Sequence, residues 1–77
     1  MSDPIPTQQD VVAYLNERFA ARGLTHRIEG IAVLPYVNPM WLSNWDVPQL
    51  KDAPERDIID EELREARWKY PQVLVEL

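Results

Sequence analysis

The chain has no cysteine, one histidine, two glycines, and eight basic residues against thirteen acidic ones. Each shortage removes a class of protein. Without cysteine there is neither a disulfide framework nor a thiolate metal site. With only Gly23 and Gly30, no glycine-rich loop can be built to cradle a phosphate. A net charge of −5 opposes binding to nucleic acid, whose backbone needs clustered cations; Arg18, Arg22 and Arg27 make at most a small basic patch. A partner protein with a basic surface, including one that itself binds nucleic acid, suits this charge better. No apolar run approaches the length of a membrane span, and Met1 to Pro6 lack the basic start and apolar stretch of a signal peptide. A cytoplasmic protein with no membrane attachment is expected.

Catalytic groups are equally scarce. Nucleophile, base and orienting acid come as a constellation, and His26 has only Ser2 and Ser43 as candidate hydroxyl nucleophiles. Ligation of a hard metal by Asp57, Glu61 and His26 is a weak alternative. The expectation is therefore no enzyme, no cofactor and no metal.

What the chain does have is large apolar side chains and proline, arranged unevenly. At 77 residues it makes one small α+β domain, residues 7–77, behind a flexible leader, residues 1–6. A domain of this size buries only about 60% of the surface its unfolded chain exposes. Thr7 and Asp10 have capping-box spacing, and Val12, Leu15 and Phe19, with Val11 alongside, recur at helical intervals. Gly23 suits the left-handed position after the helix, with Leu24 closing back on Phe19.

From Thr25 to Leu34 β-branched and apolar residues predict a strand with a bulge at Gly30, ended by Pro35. Pro35 to Pro54 holds four of the seven prolines yet is strongly apolar, which predicts ordered irregular structure. Within it, Asn38 and Pro39 form a cap and first-position pair, so Pro39 to Trp45 is expected to make a short helix with Trp41 and Trp45 on one face. Asp52 and Glu55 predict a second capping box, opening a helix that runs to about Tyr70, with Ile59, Leu63, Ala66 and Tyr70 as its apolar stripe. Asp60 with Arg64, and Glu65 with Lys69, have the favourable order for ion pairs. Gln72 to Leu77 predicts a short final strand. The order is α, β, irregular aromatic segment, α, β, with the two strands pairing in either sense to form a two-stranded sheet packed on helices. Isolated strand pairs are marginal, and a free sheet edge can recruit a second copy of the chain.

Two features point to recognition of another protein. Tryptophan and tyrosine are enriched at binding hot spots, because they bury much area at little entropic cost. Trp41 and Trp45 are accordingly assigned as hydrophobic anchors, with Tyr36 and Met40 at their margin and Leu42 sharing that surface; the alternative is that these rings are packing material for so small a core. Between Asp52 and Glu65 stand seven carboxylates against two arginines. Of these, Asp57, Asp60, Glu61 and Glu65 are assigned to steering and orienting a basic partner. The function expected is a small acidic binding module that inhibits or regulates a partner by covering a functional surface, a profile also common among small proteins of phages and mobile elements. The alternative is an accessory subunit of a larger assembly, including a homodimer through the sheet edge.

Overall fold

The computed structural model of the chain describes residues 5–40 and 42–75. Helix α1, Gln8–Ala21, starts on a complete capping box: the Asp10 amide donates to Thr7 Oγ1 at 3.3 Å and the Thr7 amide donates to Asp10 Oδ2 at 2.9 Å. It ends as its glycine requires. Gly23 sits at φ +76°, its amide donates to Ala20, and the Leu24 amide donates to Phe19 at 2.9 Å, which together close the last turn. Val11, Val12, Leu15 and Phe19 form the buried face.

The next segment departs from expectation. Residues 24–31 bury Leu24 and Ile28 but pair with no strand. The Asn16 side chain takes that place, accepting from the Ile28 amide at 2.8 Å and donating to its carbonyl at 3.0 Å. With its backbone needs met by a side-chain amide, this stretch does not require a sheet neighbour.

Strand β1 instead spans Ala32–Asn38, passing through Pro35, and pairs antiparallel with β2, Ser43–Asp46. Val33 faces Trp45 and Asn38 faces Ser43, so the longer stretch of β1 between these pairs bulges outward around Pro35. Proline is tolerated there because an edge strand does not need every N–H. The bulge expected at Gly30 therefore lies further along, and Pro35 does not stop the strand.

The short helix expected over Pro39 to Trp45 is a hairpin turn. Asn38 Oδ1 accepts from the Met40 amide at 2.8 Å, as a helix cap would, and the Leu42 amide donates to the Asn38 carbonyl at 2.8 Å. Leu42 then adopts φ 58°, which stops the helical winding after one turn and redirects the chain into β2.

A 3-10 turn at Pro48–Leu50 leads to helix α2, Arg56–Lys69. Glu55 precedes this helix without a side-chain capping bond, so the second capping box is not formed. Arg56 instead donates to the Leu50 carbonyl at 2.7 Å and ties the helix start to the preceding turn. Ile59, Leu63 and Ala66 are buried as their spacing predicts. The expected ion pairs are exchanged for others: Asp60 pairs with Arg56 at 2.9 Å, and the Lys69 ammonium lies 4.9 Å from the Tyr14 ring centre.

The α+β class holds, with two helices and a two-stranded antiparallel sheet. The second strand, however, comes from within the aromatic segment, and the order is α, β, β, α. Residues 71–75 form no strand; Glu76 and Leu77 lie outside the described residues. Asn44 explains why this tail needs no ladder. Its side chain accepts from the Val73 amide at 2.8 Å and donates to the Val73 carbonyl at 2.9 Å, and its own amide donates to the Pro71 carbonyl. The Leu74 amide donates to the Pro6 carbonyl at 2.8 Å, so the tail also touches the start of the chain. Met1 to Pro4, most of the expected leader, lie outside the described residues.

Candidate functional site

The two helices meet over a buried carboxylate. Glu62, on the α2 face that packs against α1, is 1% exposed. The Arg18 guanidinium grips it with both forks, at 3.0 and 3.2 Å, and Arg22 adds a third bond at 2.9 Å. These bonds, led by that from Arg18, hold the Glu62 carboxyl below its ordinary value against the opposing effect of burial. The small basic patch considered from sequence is thereby neutralised in part, since Arg18 and Arg22 are turned to Glu62, with Glu61 3.6 Å from Arg22. This cluster holds the fold together; the exposed chemistry lies on the other side of α2.

There, Met40 and Leu42 from the hairpin turn and Trp68 from α2 line one groove together with Asp60, Arg64, Arg67 and Pro71. Its volume is about 650 Å³. Met40 and Trp68 are each 87% exposed and Leu42 is 69% exposed. Arg67, at one wall, donates to Asp46 at 2.7 Å, and its guanidinium lies 5.6 Å from the Trp45 ring centre. A second depression is lined by Asp57, Asp60, Glu61, Arg64 and Glu65. Asp60 and Arg64 belong to both, so the two adjoin along the outer face of α2.

The residues singled out from sequence do not share one place in the structure. Met40 lines the apolar groove, and Asp57, Asp60, Glu61 and Glu65 line the acidic depression beside it. Tyr36 is 60% exposed on β1 but lines neither. Trp45 is not a surface anchor: it is fully buried, and its indole Nε1 donates to the Tyr70 carbonyl at 2.7 Å. As a strand residue under the hairpin, rather than one on an exposed helix face, it plugs the space between sheet and helices. The assignment of Trp41 lies outside the described residues.

Trp68 was not assigned from sequence. For Trp68 the signal is present. It lies nine residues after Ile59, and at about 100° per residue that places it about 180° from the buried stripe, on the face where polar residues belong. Leu42, placed on the candidate surface from the apolar character of its segment, is exposed because of the turn geometry.

Among the described residues no group of three or more histidine, aspartate or glutamate side chains is arranged to hold a metal ion. His26 lies 3.9 Å from Glu55, away from both depressions. No helix among the described residues is long and apolar enough to cross a membrane. No protein-family model matches the chain, and neither curated proteins nor solved structures show significant similarity to it.

Proposed function

We propose that the chain is a small acidic protein-binding module that acts as an inhibitor or regulator by covering a functional surface of its partner. The observation that carries this reading is the convergence of Met40, Leu42 and Trp68 on one groove while all three stay largely in water. Scattered apolar residues are ordinary on a surface; a cluster containing tryptophan and methionine, rimmed by charge, has the composition of an interface centre. Leu42 adds to this, because it holds a left-handed backbone conformation that disfavours leucine and yet points its side chain into no core.

The accessory-subunit reading through a sheet edge has weaker support. Tyr36 and Val37 are exposed on β1, but Pro35 removes a donor from that edge and the bulge interrupts its register. The test is affinity capture from a host lysate with wild-type protein and with Trp68→Ser, each first shown by circular dichroism to be folded and by sedimentation to be monomeric. A specific protein retained by the wild type and lost with Trp68→Ser is expected. Equal retention by both, or a wild type that exists only as an aggregate or a stable oligomer, would sink the proposal in favour of an assembly subunit.

A further inference from the structure

The charge order along α2 says what kind of segment fits the groove. Asp57, Glu61 and Glu65 follow one another at four-residue intervals, and Arg64 and Trp68 share the same outer face. At 1.5 Å per residue, Trp68 lies about 10 Å from Glu61 and about 16 Å from Asp57 along the helix. Asp57 and Glu65 have no hydrogen bond or ion pair among the described residues, and Glu61 has only the long contact to Arg22. Arg64 likewise makes no ion pair among the described residues, and it stands where the two depressions join.

From this we infer that the two depressions form one continuous docking groove for a basic amphipathic protein segment, apolar at one end and rich in lysine or arginine at the other. The inference rests on the binding-module reading above and names its partner's chemistry. The apolar end meets Met40, Leu42 and Trp68. The cationic end meets Asp57 and Glu61, about three and two helical turns from Trp68, while Glu65, less than one turn from Trp68, flanks Arg64. Arg64 sets the polarity of the groove: it repels a cation from the middle, so an occupant with its charges centred or scattered fits worse than one with them at the far end. Phosphate backbones and anionic lipid headgroups are repelled by the same carboxylates that attract the segment.

The test uses four probes against the full chain labelled with 15N: a helical alanine-based peptide with two leucines at one end and three lysines at the other, the same composition scrambled, its counterpart with glutamate in place of lysine, and vesicles of mixed phosphatidylserine and phosphatidylcholine. The end-segregated lysine peptide is expected to shift the Trp68 indole resonance and the amides of residues 57–68, and to bind at least tenfold more tightly than the scrambled peptide. Glu61→Lys with Glu65→Lys should weaken it at least tenfold, and Arg64→Glu should tighten it. Lysine substitution at Glu17 and Glu29, which matches the charge change but lies outside α2, should weaken it far less. Equal binding of the scrambled peptide, tightening absent in Arg64→Glu, or a Trp68 shift with vesicles but not with the lysine peptide would overturn the inference. Preferential binding of the glutamate peptide at Trp68 would overturn it too, while leaving the groove a protein-binding surface. No shift with any probe, alongside Trp68-dependent capture from lysate, would reject the basic segment alone.

Discussion

At the scale of single residues, the chain's tryptophans show that the same side chain can be core or surface on the strength of its element. Trp45 is enclosed and bonded to the Tyr70 carbonyl; Trp68 stands in water beside Met40 and Leu42. Leu42 is the residue where fold and function pull in opposite directions. An L-residue in the left-handed region costs about 1–2 kcal/mol, and glycine escapes most of it while losing more chain entropy on folding. Leu42→Gly is therefore expected to raise stability by about 0.5–1 kcal/mol, read as a higher urea midpoint with an unchanged slope. Partner affinity should fall in the same variant, because the groove loses one of its three exposed apolar side chains. A lower midpoint would show that the Leu42 side chain packs for the fold and would remove it from the interface.

Among the elements, α1 and α2 depend on a contact that hydrophobic patterning does not announce. Glu62 falls in a run of four charged or acidic positions, Asp60 to Glu62 and Arg64 around Leu63, and reads as one more solvated carboxylate. Only the meeting of two helices tells it apart from Glu61, by setting it against Arg18 and Arg22. Because Glu62's carboxyl is held below its ordinary value in the folded state, its contribution is fully present above the ordinary glutamate range and is lost as pH falls through the lowered value. Stability measured across that acidic range should drop more steeply for the wild type than for Glu62→Gln. At neutral pH Glu62→Gln should cost about 2 kcal/mol, the scale of a buried bond to a charged group. Parallel pH profiles for the two proteins would show that the carboxylate is not what the arginines stabilise.

The same comparison explains what was legible in advance. Helix α1 was readable to its caps, because Thr7, Asp10 and Gly23 act on neighbours within a few residues. The stripe of α2 was readable for the same reason. The strands were not, since Asn16 satisfies Ile28 from twelve residues away and Asn44 satisfies Val73 from twenty-nine away, and either amide could equally have been a surface residue. The acidic half of the groove was legible as a run of carboxylates, whereas its apolar half needed the hairpin turn to carry Met40 and Leu42 to Trp68.

For the whole molecule, the question is how so small a domain closes with two strands among its described residues. The tail, residues 71–75, bonds to β2 at Asn44, buries Val73 to 2% exposure and reaches Pro6, so both ends of the described chain are fastened at one place. On the sheet side the fastening runs through one residue, Asn44. Asn44 supplies the acceptor and the donor that a neighbouring strand would otherwise give Val73, and the same amide nitrogen also reaches the Leu34 carbonyl in β1 at 3.2 Å. One residue thus joins β1, β2 and the tail. Asn44→Ala leaves a buried N–H and a buried carbonyl of Val73 without partners, at about 1–3 kcal/mol each, which is a large share of the few kcal/mol a domain of this size has. The expected result is a loss of about 2–4 kcal/mol in denaturant unfolding, with the Val73 amide becoming fast in hydrogen exchange. Asn44→Asp separates the two halves of the clamp, because a carboxylate accepts from the Val73 amide but cannot donate to either carbonyl. It should retain part of the protection at Val73 and still lose stability. If Asn44→Ala keeps both the midpoint and the slow exchange of Val73, the tail is held by the burial of Val73 alone, and the closure of this fold is apolar packing with the amide as a bystander.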